Sequence, residues 1–217
     1  MSRLPALFLI IFLFIGPAHA MRFAPYLGAA LQYQMIAWAG GSWAFDDLGN
    51  QKPYISIAGE YEAGITAPSY SVYAAYHQFP LIHMINLGND DTWDEARYLF
   101  GARWHMNSGH HFRVQPTVGA ALSYGRVHMD RYYYDYSVWQ GKRYSKWSEA
   151  RYGLMLEMGF LIHTFKAIDI NVLCRTEVYT ARFLGDPVNN ESVQYHLISP
   201  SLQVGARYVF PTLTISR

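Results

Sequence analysis

Histidine and serine are the residues of this 217-residue chain that could form a nucleophilic pair. On a β-strand, a His-x-Ser spacing would bring imidazole and hydroxyl to one face, where the imidazole can take the hydroxyl proton. No His-x-Ser occurs. His105 and Ser108 straddle the segment Asn107-Ser-Gly109, and His196 and Ser199 have opposite parity, so on a strand they face opposite ways. Both pairs are read as structural. His110 and His111 are adjacent, and neighbouring histidines in a turn do not readily converge on one ion. His77, His105 and His163 share the other face of their strands as hydrogen-bonding residues. No metal site is assigned and no cofactor is implied. Asp90, Asp91 and Asp94 would attract hard cations, but they read as a hydrated acidic loop. Cys174 is the single cysteine, so the chain has no internal disulfide.

Two further groups carry more weight. Glu60, Glu62, Glu95, Glu157, Asp169 and Glu177 share one strand parity with Arg97, Arg103, Arg113, Arg151, Arg175 and Arg207. Acids and arginines in matched number on one face suit bidentate guanidinium–carboxylate pairing. The segment from His128 to Trp147 holds Tyr132, Tyr133, Tyr134, Tyr136, Trp139, Arg143, Tyr144 and Trp147, with Lys142 and Lys146 among them. Rigid aromatic rings interspersed with cations make a contact surface for sugars, lipid headgroups or proteins.

The elements that must position these groups are strands. From Glu95 to Met106, Ala96, Tyr98, Phe100, Ala102, Trp104 and Met106 fall on one side, and Glu95, Arg97, Leu99, Gly101, Arg103 and His105 on the other. That is a period of two. The apolar parity recurs through Leu27, Ala29, Leu31, Tyr33 and Met35, through Val118, Ala120 and Leu122, through Leu154 to Ile162, and through Leu202 to Phe210. About eight such runs occur, joined alternately by long and short connections. This predicts an all-β, antiparallel, up-and-down transmembrane barrel with the charged parity inside. The strands are expected near 23–38, 54–64, 69–79, 95–106, 112–127, 148–163, 169–183 and 193–210. Short turns then fall at 65–68, 107–111 and 164–168, and long loops at 39–53, 80–94, 128–147 and 184–192. Aromatic residues near the run ends would form girdles at the membrane interfaces.

Composition agrees with this class. The formal net charge is +1, which offers no broad basic surface, and no nucleic-acid partner is expected. Residues 1–20 begin with Arg3, continue through an apolar run from Leu4 to Ile15, and end on Ala18-His19-Ala20. This reads as a secretory signal cleaved near Ala20, leaving residues 21–217 as the barrel domain. A soluble, lipocalin-like barrel is the structural rival. Against it, Lys52, Lys142, Lys146 and Lys166 all fall in predicted loops or turns rather than along a wetted wall.

The stretch Leu99-Phe-Gly-Ala-Arg-Trp-His105, the turn Asn107-Ser-Gly109 and the run from Phe112 to Gly125 resemble the central hairpin of the small eight-stranded outer-membrane barrels, the OmpA/OmpX-like group. Leu202 to Phe210 resembles their closing strand. One departure is the tail Pro211 to Arg217, which follows an aromatic residue that usually ends such chains. The resemblance covers essentially the whole barrel domain and implies a bacterial outer-membrane location, contact with outer-membrane lipid and lipopolysaccharide, and insertion by the barrel-assembly machinery. The function expected is structural or surface-binding, with the 128–147 loop displayed over a closed, charge-paired lumen to a surface ligand. A lipid A-modifying enzyme and a narrow channel are the alternatives, because fold alone does not select a role.

Overall fold

In the computed structural model, the described residues are 21–41, 54–82, 92–106, 113–135, 140–165, 167–184 and 192–215. The predicted signal segment lies outside them, as do the predicted turn 107–111 and much of three predicted loops. The strands are β1 (Met21–Gly41), β2 (Tyr54–Thr66), β3 (Tyr70–Ile82), β4 (Thr92–His105), β5 (Val114–Asp135), β6 (Gln140–Trp147), β7 (Ala150–Phe165), β8 (Ile168–Phe183), β9 (Val193–Val209) and β10 (Leu213–Ile215). Each of β1, β2, β3, β4, β5, β7, β8 and β9 pairs antiparallel with the next, and β9 pairs back onto β1. The eight-stranded barrel is therefore closed, with no free wall edge.

The two remaining strands are extensions. β10 continues the pairing of the last strand to β1, with Phe23 opposite Leu213 where the preceding ladder ends at Tyr26 opposite Val209. The tail after Phe210 is thereby tied into the sheet. β6 pairs with the upper half of β5, from His128 opposite Trp147 to Asp135 opposite Gln140. Residues 128–147 were expected as a loop, but most of them form a two-stranded hairpin that prolongs the wall. The kink between β6 and β7 is stabilised by Ser148, whose N–H donates to Val127 O at 2.7 Å and whose hydroxyl accepts from Val127 N–H at 2.8 Å.

Following register partners once around the wall shows how the strands tilt. From Ala29 the row passes through Tyr61, Tyr76, Tyr98, Tyr124, Tyr152, Thr180 and His196, and it returns to β1 at Gly40. Such stagger is the shear that closes a barrel. Five consecutive strands thus present a tyrosine in one slanting row that climbs toward the end bearing the long connections. Tyr76 and Tyr98 approach to 5.6 Å between ring centroids, and Tyr124 and Tyr152 to 5.3 Å.

Large apolar side chains cover the outside. Leu31 is 57% exposed, Leu156 60% and Met158 64%, whereas Arg97, Glu60 and Arg151 are essentially inaccessible. A barrel dissolved in water would bury the first set and expose the second. This inversion, with every wall strand hydrogen-bonded on both sides, makes the protein a membrane β-barrel.

Candidate functional site

Inward-facing positions of the strands assemble three tiers of charge. Nearest the short turns, Arg207 Nε donates to Asp169 Oδ2 at 3.0 Å, and the other oxygen of Asp169 lies 2.7 Å from His163 Nδ1. Above it the side chains alternate in the order Glu62, Arg103, Glu157, Arg175, Glu60. Arg103 spans Glu62 with both terminal nitrogens, at 2.7 and 2.6 Å, and gives its Nε–H to Glu157 at 2.7 Å. Arg175 joins Glu157 at 2.9 Å to Glu60 at 2.7 Å. Tyrosines finish the pattern, Tyr26 donating to Glu62 at 2.5 Å and Tyr73 to Glu157 at 3.0 Å.

The third tier is a closed ring. Arg97 contacts Glu95 at 2.7 Å and Glu177 at 3.1 Å, and Arg151 contacts Glu177 at 2.8 Å and Glu95 at 3.3 Å. Tyr179 and Trp93 also donate to Glu95, and Ser123 donates to Glu177. Each arginine bridges the same two carboxylates, so that opposite charges alternate around the ring. The Arg151 guanidinium additionally lies 3.4 Å from the Tyr179 ring centroid, and that of Arg103 lies 4.0 Å from the Tyr73 centroid.

Small residues make room for this packing. A Cβ on Gly101 would lie 2.6 Å from Tyr73 Cζ, and one on Gly119 would lie 2.8 Å from Glu157 Oε1. Both glycines seat the side chains that hold the middle tier.

Of the expected lumen residues, Glu60, Glu62, Arg97, Arg103, Arg151, Glu157, Asp169, Arg175, Glu177 and Arg207 are brought together in these tiers. Arg113 is not. It precedes β5 and is exposed at the mouth beside the short turns, where its carbonyl accepts from His163 N–H at 2.8 Å. Its parity is inward, and its neighbour across the β5–β7 ladder is His163 of the first tier, but Arg113 itself stands exposed at the end of the barrel.

Above the ring the interior becomes apolar. Ile36, Phe79, Trp93, Phe183, Tyr195 and Leu197 pack into a buried cluster at the outer end. Sequence reasoning missed it because Trp93 fell in a predicted loop. Parity carried the signal, since Trp93 is two residues from Glu95, and Phe183 continues the inward series Glu177, Tyr179, Ala181.

The structure also pairs His105 Nε2 with Ser71 Oγ at 3.2 Å across β3 and β4, a contact that spacing along one strand could not reveal. Ser71 is wholly buried among lumen side chains, so its hydroxyl has no room for a substrate carbonyl. His196 is outward and Ser199 inward, on opposite faces of β9. In the 128–147 segment, Tyr136 and Trp139 lie outside the described residues. Tyr132, Tyr133, Tyr134, Arg143 and Tyr144 are on the paired backbone of β5 and β6. Trp147 is exposed, with its ring 4.8 Å from that of His128.

Among solved structures, the chain is similar to Neisserial surface protein A at 15% identity and a TM-score of 0.60, covering 86% of this chain and 97% of that one. The fold is that of the small outer-membrane barrels. OprG of Pseudomonas aeruginosa aligns at 15% identity and a TM-score of 0.46, over 88% of this chain and 96% of that one. Ail of Yersinia pestis aligns at 12% identity and a TM-score of 0.41, over 88% of this chain and all of that one. No family model matches the sequence, and no curated protein matches it.

Proposed function

We propose that this protein is a non-conducting barrel of the bacterial outer membrane whose role is surface recognition through the β5–β6 hairpin. The supporting observation is the hairpin register. Arg131 is opposite Tyr144, Tyr132 opposite Arg143, and Tyr133 opposite Lys142, so each of three successive pairs joins a cation and an aromatic residue. A paired ladder anchored in the barrel wall by Ser148 is already ordered, which lowers the entropic cost of contact with a ligand. Aromatic faces bordered by cations suit acidic or sugar-bearing ligands. Charged tiers filling the lumen favour a wall-bound scaffold over a pore.

The test is to replace residues 130–145 with a short Gly-Ser turn and to probe the refolded protein on an array of acidic and neutral glycans. Binding by the native chain that disappears in the trimmed one, while both keep the heat-dependent gel shift of a folded barrel, is the expected result. Equal binding by both chains sinks the hairpin reading.

A further inference from the structure

Outward-facing side chains near the outer rim of β5, β7 and β8 stack in an order that matches an amphiphile. Arg126 and Arg182 are exposed, and no ion pair engages either guanidinium among the described residues. Gly125 pairs with Arg151, so Arg126 and Ala150 are the next residues up adjacent strands, and Ala150 pairs with Arg182. The two arginines therefore flank a small residue across two strand spacings, about 10 Å. Arginine side chains rooted at that separation are long enough to reach one anion between them.

The next outward residue below Arg126 is Tyr124, and below Ala150 it is Tyr152. Both are exposed, and their rings are 5.3 Å apart. One step lower come Leu122 and Leu154, which open an apolar groove of about 800 Å³ floored by Ala102 and Ala120 and walled by Phe100 and Trp104. Cations, then paired aromatic rings, then an acyl-sized apolar groove follow one another down the wall, the groove running from Leu154 on β7 across β5 to β4 and β3. Two carboxylates lie close by. Glu149 is exposed at the kink beside Ala150, and Asp94 is held by His128 at 3.4 Å.

We propose that this patch is a binding site for a phosphorylated glycolipid of the outer leaflet. Arg126 and Arg182 hold a phosphate, Tyr124 and Tyr152 lie against the sugar and its acyl junction, and a chain occupies the groove. A phosphate accepts from two guanidinium forks at once, and sugar rings pack on aromatic faces. The site is separate from the hairpin ligand and rests on the membrane-barrel reading, with the long connections outside.

The test uses refolded full-length barrel in detergent micelles, titrated with bisphosphorylated lipid A, dephosphorylated lipid A and phosphatidylglycerol, with bound lipid counted by native mass spectrometry. R126Q/R182Q is compared with R113Q, which changes an exposed arginine at the opposite mouth. Loss of charge-assisted bonds at two arginines is expected to weaken bisphosphorylated lipid A by about 100-fold. R113Q should match the native chain, and dephosphorylated lipid A and phosphatidylglycerol should each bind at least about tenfold more weakly to the native chain. Native affinity in R126Q/R182Q overturns the site. Equal binding of dephosphorylated lipid A removes the phosphate role, and equal binding of phosphatidylglycerol removes the sugar role; either result overturns the proposal. The heat-dependent gel shift, recorded on every sample, separates failure of this site from failure of the barrel reading.

Discussion

Replacing Arg103 with Met tests whether the lumen network stabilises the barrel. Arg103 makes three short bonds, two to Glu62 and one to Glu157, and its guanidinium packs 4.0 Å from the Tyr73 centroid. The two carboxylates fare differently once it is gone. Glu157 keeps Arg175 at 2.9 Å and Tyr73 at 3.0 Å, whereas among the described residues Glu62 keeps only the Tyr26 hydroxyl at 2.5 Å. One buried carboxylate is thus orphaned, and breaking a single buried pair costs roughly 3–5 kcal/mol. That is about two to three and a half powers of ten in the folding equilibrium. With a urea dependence near 2 kcal/mol per molar, the unfolding midpoint falls by roughly 2 M. The assay is urea unfolding in detergent or lipid vesicles, read as the folded fraction by heat-dependent gel mobility. R103M/E62Q removes the stranded charge as well and should recover more than half of the loss, since deleting both partners spares the orphan penalty. A single variant within about 1 kcal/mol of the native protein, or a double variant no more stable than R103M, refutes the network as a source of stability.

Three further outcomes follow from the same geometry. Leu156→Arg puts a charge at an outward position on β7 between Tyr152 and Phe160, and should destabilise the barrel by about 2–4 kcal/mol in the same urea assay. The corresponding change at exposed Glu149, above the tyrosine row, should cost less than about 1 kcal/mol. Gly101→Val drives a side chain into the Tyr73 ring and Ala121, and should cost about 1–3 kcal/mol by displacing the tyrosine that supports Glu157. In planar bilayers the native barrel should give no stable conductance steps, because the Arg97–Glu177–Arg151–Glu95 ring and the apolar cluster above it occupy the lumen; discrete steps of constant size in purified protein would disprove the closed lumen.

Arg103, Arg151 and Arg207 are each set against a tyrosine ring as well as a carboxylate. Taking charges out of water is repaid by opposite charges and by hydrogen bonds to the groups left over. Tyr26 and Tyr73 donate to acids of the middle tier, and Tyr179, Trp93 and Ser123 to those of the third, adding to what the arginines supply.

Alternation along the chain determined the membrane barrel before any contact was known. Side chains two apart share a face, and lipid on one side with a narrow lumen on the other leaves a strand little choice over which parity faces which way. From that rule alone, Arg97, Arg151, Glu157 and Glu177 belong inside, and Leu154, Leu156 and Met158 outside. Parity does not say which acid meets which base. Glu60 reaches Arg175, 115 residues away, only because closure of β9 onto β1 brings β8 near β2 across a narrow lumen. Parity also does not say where the lumen stops: by parity alone Arg113 belongs inside, yet it stands exposed at the mouth. The hairpin over 128–147 was hidden for a different reason: its tyrosines and charges fit a loop or a solvent-facing strand equally well, and the pairing of β6 with β5 decides between them. The slanting row of five tyrosines, and the arginines two residues above it, depend on register between strands. Register is set by how far each strand slides against its neighbour as the barrel closes, a quantity that exists only once all eight strands are in place.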